Sequence, residues 1–241
     1  MIKLIKAKDY GDMSKKAANI IASVLTLKED AVLGLATGST PIGTYDNLVE
    51  KYNNKELDFS KVKTVNLDEY VGLDGTHNQS YRYFMNEHLF SRVNIDVNNT
   101  NVPNGKNEDE NVECARYHEV IKNMHGVDLQ LLGIGNNGHI GFNEPCDKFI
   151  LNTHKVTLTE STIKANSRLF DSIDEVPHYA YTMGIGEIME AKTVLILASG
   201  KAKAPIIKEL LEGEVDPKVP ASILKVHPNC ILIADEEALS A

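Results

Sequence analysis

Three observations predict an α/β fold for this 241-residue chain, with a mostly parallel sheet between two layers of helices in a Rossmann-like arrangement. Short, continuous apolar runs alternate with stretches of helical apolar spacing. The runs are apolar at successive positions, as expected of strands buried on both faces. Glycine-rich polar loops follow several of them, and in a parallel sheet such loops open on one edge, where ligands bind. The length and a 42% hydrophobic content suit a single domain spanning residues 1–241.

The elements follow in order. Met1–Lys6 reads as an edge strand and is too short and too charged for a secretion signal. Tyr10, Met13, Ala17, Ile20, Ile21 and Val24 recur at helical spacing within residues 9–27. Ala31–Ala36 is a buried strand, stopped by Thr37-Gly38-Ser39-Thr40-Pro41, with a helix beginning at Pro41. Val62–Leu67 is the next strand, and a polar loop starts at Asp68. Asn107–His125 is a helix with acidic residues in its first turn and Gly126 beyond its end, its buried stripe expected at Val112, Ala115, Ile121 and Met124. Val127–Leu132 forms the central strand, His154–Leu158 another, and residues 159–177 a helical or irregular excursion. Thr193–Ala198 precedes a helix ending near Gly213, and Cys230–Ala234 is the last strand.

Composition narrows the function classes. Lys and Arg number 25 against 34 Asp and Glu, a net charge of −9, which argues against nucleic acid or an anionic membrane as partner. No apolar run approaches the roughly 18 to 20 residues of a membrane span. The three cysteines, Cys114, Cys146 and Cys230, are widely spaced and show no metal-ligand pattern. These features point to a soluble, reduced cytoplasmic protein without structural disulfides.

Four loops after strands carry chemistry. Thr37-Gly38-Ser39-Thr40 offers backbone N–H groups, hydroxyls and a helix start, the donors a phosphate needs; alone, it is equally an ordinary helix cap. In Asn66-Leu67-Asp68-Glu69-Tyr70-Val71-Gly72-Leu73 two adjacent carboxylates leave a strand end, so that one can face a site while the other faces away; a solvated acidic turn reads the same way. Gly133-Ile134-Gly135-Asn136-Asn137-Gly138-His139-Ile140-Gly141-Phe142-Asn143-Glu144-Pro145 sets a histidine and a carboxylate among glycines, a pairing suited to proton transfer. Its GxGxxG spacing is no dinucleotide fingerprint, because Gly141 and Pro145 interrupt the helix that the third glycine must open. In Ala198-Ser199-Gly200-Lys201-Ala202-Lys203-Ala204 a turn leads into a helix with two lysines in its first turn, unfavourable for the helix dipole unless an anion binds there. Cys146 lacks a base partner, and no internal repeat is present.

The segments Thr37–Pro41, Asn66–Leu73, Gly133–Pro145 and Ala165–Phe170, in this order over nearly the whole chain, closely resemble the isomerising glucosamine-6-phosphate deaminases. The pairing of Leu-Asp-Glu-Tyr-Val-Gly-Leu with Gly-His-Ile-Gly-Phe-Asn-Glu-Pro carries the resemblance. The 6-phosphogluconolactonases share the fold and a Gly-His loop but differ after the histidine. The resemblance implies conversion of glucosamine 6-phosphate to fructose 6-phosphate and ammonia without metal or organic cofactor. His139 would open the sugar ring with Glu144 orienting it, and Asp68 would move a proton between C2 and C1. Thr37, Gly38, Ser39 and Thr40 would contact the phosphate, completed by Arg168 and Lys203, with Lys201 a secondary candidate and Arg168 on a lid within residues 159–177.

Two departures from the family pattern have consequences. Asn137 stands where many members carry Asp, which leaves Glu144 more of the charge stabilisation of His139. Asp147, Lys148, His154 and Val156 occupy positions that hold serines and basic residues in allosteric members, and the chain ends soon after its last strand. The implied protein is a monomer or small oligomer without allosteric activation. A lactonase and a non-catalytic sugar-phosphate sensor are the competing readings; the sensor is disfavoured by the acidic balance and by the joint presence of Asp68, His139 and Glu144.

Overall fold

A computed structural model describes residues 2–159, 163, 172 and 175–241. Most of the expected lid, with Arg168, lies outside the described residues. The chain runs β1 (Lys3–Ala7), α1 (Tyr10–Leu27), β2 (Val32–Leu35), α2 (Ile42–Asn53), β3 (Lys63–Asn66), β4 (Asp68–Tyr70), α3 (Tyr81–His88), β5 (Thr100–Asn101) and α4 (Glu110–Asn123). It continues through β6 (Leu129–Gly133), β7 (His154–Thr157), β8 (Tyr179–Thr182), α5 (Ile185–Met189), β9 (Val194–Ala198), α6 (Ala204–Glu212) and β10 (Cys230–Asp235).

Seven strands form a parallel sheet in the order β1-β10-β9-β6-β2-β3-β5. Its apolar runs divide by alternation. Val32, Leu132, Ile196 and Leu232 join the core on one face, packed with Tyr117 and Ile121 of α4 and Ile207 and Leu210 of α6. Leu33, Leu131, Leu195, Leu197 and Ile233 join the core on the other, packed with Met13, Ala17 and Ile21 of α1 and Tyr45 and Leu48 of α2. Both faces are covered, so apolar residues point to either side of these strands, with Gln130 a buried polar exception in β6. From β2 the strand order proceeds outward to β3 and β5 on one side, then returns to β6 on the other. The strand order reverses between β2 and β6, and a crevice opens beyond their carboxyl ends.

The sequence reading misses a second sheet. Asp68–Tyr70 is not a loop but β4, paired antiparallel with β8, which pairs with β7. Asp68 stands opposite Thr182 in this ladder. A strand this short has no periodicity to read, and long-range pairing alone defines it. The stripe of α4 also differs. Val112 is 55% exposed, whereas Glu113 and Tyr117 are buried. Glu113 accepts the Asn104 N–H and both arms of the Arg116 guanidinium, and the Tyr117 hydroxyl donates to the Asn66 carbonyl. Partnered polar groups can occupy core positions that a count of apolar residues assigns elsewhere. The two lysines expected in a helical first turn instead form a 3-10 turn, Lys201–Lys203, before α6. No helix among the described residues is long and apolar enough to cross a membrane.

Candidate active site

A cavity of about 530 Å³ occupies the crevice at the ends of β2 and β6. Residues from all four loops singled out in the sequence line it: Thr37, Gly38 and Thr40; Asp68; Asn137, His139 and Glu144; and Lys203. Ser39 is exposed and outside this lining, but its carbonyl accepts the Tyr10 hydroxyl at 3.1 Å. That hydroxyl in turn accepts the Gly43 N–H at 2.9 Å, bracing the loop against the first turn of α2. Gly38 has φ 93°, a left-handed conformation that suits glycine and turns the loop back over the strand end. Pro41 precedes the helix as its cap residue, without a side-chain bond of its own.

The Gly133–Pro145 segment folds as a chain of turns around His139. The imidazole lies over Gly135, where a Cβ would sit 2.3 Å from the ring. Glycine at this position is therefore required by the histidine itself. His139 Nδ1 approaches Glu144 Oε1 at 3.3 Å, a charge contact without the alignment of a formed hydrogen bond. Asn137, the departure from the family pattern, bridges the histidine turn and the carboxylate. Its side-chain oxygen accepts the His139 backbone N–H at 3.2 Å, while its amide donates to Glu144 Oε2 at 2.6 Å. Asn137 thus holds the carboxylate that faces the imidazole. Asn143 ties the end of the turn, donating to the carbonyls of Ile140 and Met183.

Asp68 is 6% exposed. Burial, reinforced by the neighbouring Glu69, pushes its carboxyl up to about 8. Gly141, at φ 58°, passes close by: a Cβ there would stand 3.0 Å from Thr182 Oγ1 and 3.4 Å from Asp68 Oδ2. Thr182 Oγ1 accepts the Phe142 N–H, locking the His139 segment to the strand opposite Asp68. The Lys203 ammonium donates to the Ile134 carbonyl at 2.7 Å, and burial lowers its pKa. Lys201 is exposed and does not line the cavity. Behind the lysine turn, the buried Asp235 accepts the Ser199 hydroxyl and the Gly200 N–H, and Gly200 has φ 91°.

Sequence reasoning passed over one wall of the cavity. Tyr81, the first residue of α3, lines it. Its ring is parallel to Phe142, with 7° between planes and 6.1 Å between centroids, and its hydroxyl donates to that of Tyr70 at 3.3 Å. The only local sign was Ser80, whose hydroxyl caps α3 by accepting the Tyr83 N–H. Nothing in the sequence says that this helix begins at the crevice.

A buried carboxylate, a histidine–carboxylate pair and an anion-ready loop on one cavity at a switch point define an α/β enzyme of acid–base chemistry. The family model described as glucosamine-6-phosphate isomerases/6-phosphogluconolactonase matches residues 8–232, and the chain belongs to that family. It is 58% identical to the glucosamine-6-phosphate deaminase of Lachnoclostridium phytofermentans, over 96% of this chain and 98% of the relative. It is 54% identical to that of Clostridium perfringens strain 13, over 98% of each. The solved structure of a monomeric glucosamine-6-phosphate deaminase superposes with a TM-score of 0.96 at 45% identity, over 99% of both chains.

Proposed function

We propose that this chain converts glucosamine 6-phosphate and water to fructose 6-phosphate and ammonia. The observation that carries this reading is the convergence of Asp68, His139 with Glu144, and the Thr37–Thr40 loop with Lys203 on one cavity, in a chain 58% identical to a glucosamine-6-phosphate deaminase.

The phosphate seats against the Thr37–Thr40 loop, where backbone N–H groups, hydroxyls and the start of α2 favour an anion. Lys203 leaves the Ile134 carbonyl for the phosphate, exchanging a neutral acceptor for a charged one. His139 takes the proton of the anomeric hydroxyl and returns one to the ring oxygen, so the C1–O5 bond breaks and the aldehyde forms. Glu144 stabilises the imidazolium during this step, as a carboxylate does in a triad. Asp68 then accepts the proton from C2, giving an enolamine, and delivers a proton to C1. The resulting imine at C2 is hydrolysed by water, releasing ammonia and the ketose. Asp68 must be ionised to begin, so burial at once strengthens it as a base and restricts the pH range in which it acts.

The same reading takes residues 1–241 as a single domain with a lid within 159–177 that brings Arg168 to the phosphate. It takes the chain as a monomer or small oligomer in the cytoplasm; its three cysteines are unpaired, as a reducing compartment allows.

A coupled assay for ammonia and fructose 6-phosphate tests the activity. Release of both in equal amounts is expected; hydrolysis of 6-phosphogluconolactone without deamination, or binding without turnover, contradicts it. The His139–Glu144–Asn137 geometry gives a finer prediction. Glu144→Gln should lower kcat at least tenfold, because an amide cannot compensate the imidazolium charge. Asn137→Asp replaces the donor to Glu144 with a second carboxylate. The pair then shares a proton, and a new ionisation enters the pH profile of kcat/KM. An unchanged profile in Asn137→Asp, or full activity in Glu144→Gln, removes Glu144 from the ring-opening step.

A further inference from the structure

The sequence offers two adjacent carboxylates, and the mechanism uses one. Glu69 points away from the cavity, as alternation along β4 requires, and is 2% exposed. Its Oε1 accepts the N–H groups of Tyr70 and Tyr81, each at 2.9 Å, and its Oε2 accepts that of Arg82 at 3.0 Å. The Ser80 hydroxyl accepts the Tyr83 N–H, and the Ser80 N–H donates to the His77 carbonyl. The four N–H groups that a helix start leaves open, those of Ser80, Tyr81, Arg82 and Tyr83, are thereby all satisfied in α3. Two of them are held by the side chain adjacent to Asp68. A surface cap needs no buried carboxylate, since Ser80 caps this helix already. The added anion is costly to bury, and the residue it fixes, Tyr81, is a wall of the cavity.

We propose that Glu69 is a positioning residue of the reaction: it fixes Tyr81 against the sugar site and, when ionised, sets a negative charge behind Asp68 that strengthens it as a base. This rests on the reading of Asp68 as the proton carrier. The other ionisable groups around Asp68 are Tyr81 of α3 and Tyr117 of α4, with His139, Glu144 and Lys203 sharing the cavity. Glu144 is the other anion among these, and its carboxylate is engaged by Asn137 and faces His139. Arg82 is the cation nearest Glu69 in effect, but its guanidinium is bonded to the hydroxyl and carbonyl of Thr100.

Glu69→Gln keeps the shape and removes the charge. The acidic limb of kcat/KM should move to lower pH by about one unit, and carbon NMR of aspartate-labelled protein should show Asp68 titrating lower by the same amount. Glu69→Asp keeps the charge and shortens the reach; its acidic limb should stay in place while KM rises severalfold as Tyr81 shifts. An unmoved limb and unmoved Asp68 titration in Glu69→Gln overturn the proposal, as does an unchanged KM in Glu69→Asp, which also decides the matter if the Gln variant fails to fold. Uniform loss of activity with a lowered Tm and no pH displacement marks a purely structural role and overturns it too. Asp68→Asn separates the two levels. Continued exchange of the C2 proton in that variant overturns the base assignment itself, whereas its loss beside an unmoved limb in Glu69→Gln overturns only the inference on Glu69.

Discussion

Asp68→Asn is expected to lower turnover of glucosamine 6-phosphate by about 10³-fold or more, the scale of a lost proton carrier, and to make the protein more stable at alkaline pH. Both effects come from one fact, a carboxyl buried at 6% exposure beside a second carboxylate. In the folded protein it titrates at about 8, against about 3.9 when unfolded. Between these values the unfolded chain gives up a proton that the native state keeps. Asp68 therefore favours the fold fully below the lower value, and that contribution is lost as pH rises toward the higher one. A neutral asparagine has no such loss. The variant's Tm should exceed the wild type's by a margin that widens from pH 5 to pH 9, reaching several degrees at pH 9. In the wild type, kcat/KM should fall about tenfold per pH unit below the Asp68 transition. Thermal melts across this range, set beside the rate profile, check both halves. Equal melting curves at pH 9 would show that the fold does not raise the Asp68 pKa.

His139→Asn should reduce turnover by about 10²- to 10³-fold, the range of a lost acid–base group. The loss should fall on ring opening, since His139 and Glu144 act as one unit at 3.3 Å. The double variant with Glu144→Gln should then be scarcely worse than His139→Asn alone, because removing the imidazole leaves Glu144 nothing to stabilise. Steady-state kinetics of the four proteins in the cycle measure this coupling. Additive losses would mean that Glu144 serves another step. Exchange of the C2 proton, followed separately by NMR, should resist His139→Asn in substrate molecules that have opened spontaneously and vanish in Asp68→Asn.

The principal strands and most helices were legible because the parallel sheet is covered on both faces, so its strands are apolar runs that stand out between loops. The four site loops were legible for a related reason. A parallel sheet brings its strand ends to one edge, so residues as distant in sequence as Asp68 and Lys203 share a cavity without any local signal joining them. What escaped depends on pairing and on partnered polarity. Of the β4-β8-β7 sheet only β7 is readable as a strand; β4 and β8, of three and four residues, have a pattern indistinguishable from loop. Glu113 and Glu69 carry no apolar signal, yet both are buried where backbone donors meet them. The partner of Asn137 is not legible locally either: the turn closed by Gly138, at φ 85°, carries its amide to Glu144. Tyr81 was invisible because its role comes from where α3 starts.

The most direct test of the account is a crystal structure with a linear, ring-opened amino-alditol 6-phosphate, which can fill the site but cannot react. The account predicts the phosphate on the Thr37–Thr40 loop with Lys203 moved from the Ile134 carbonyl onto it. It also predicts a carboxyl oxygen of Asp68 within about 3 to 3.5 Å of both C1 and C2, the separation of a reactive complex. A phosphate bound elsewhere, or an Asp68 carboxyl remote from either carbon, would contradict the claim that this one buried carboxylate carries the proton between them.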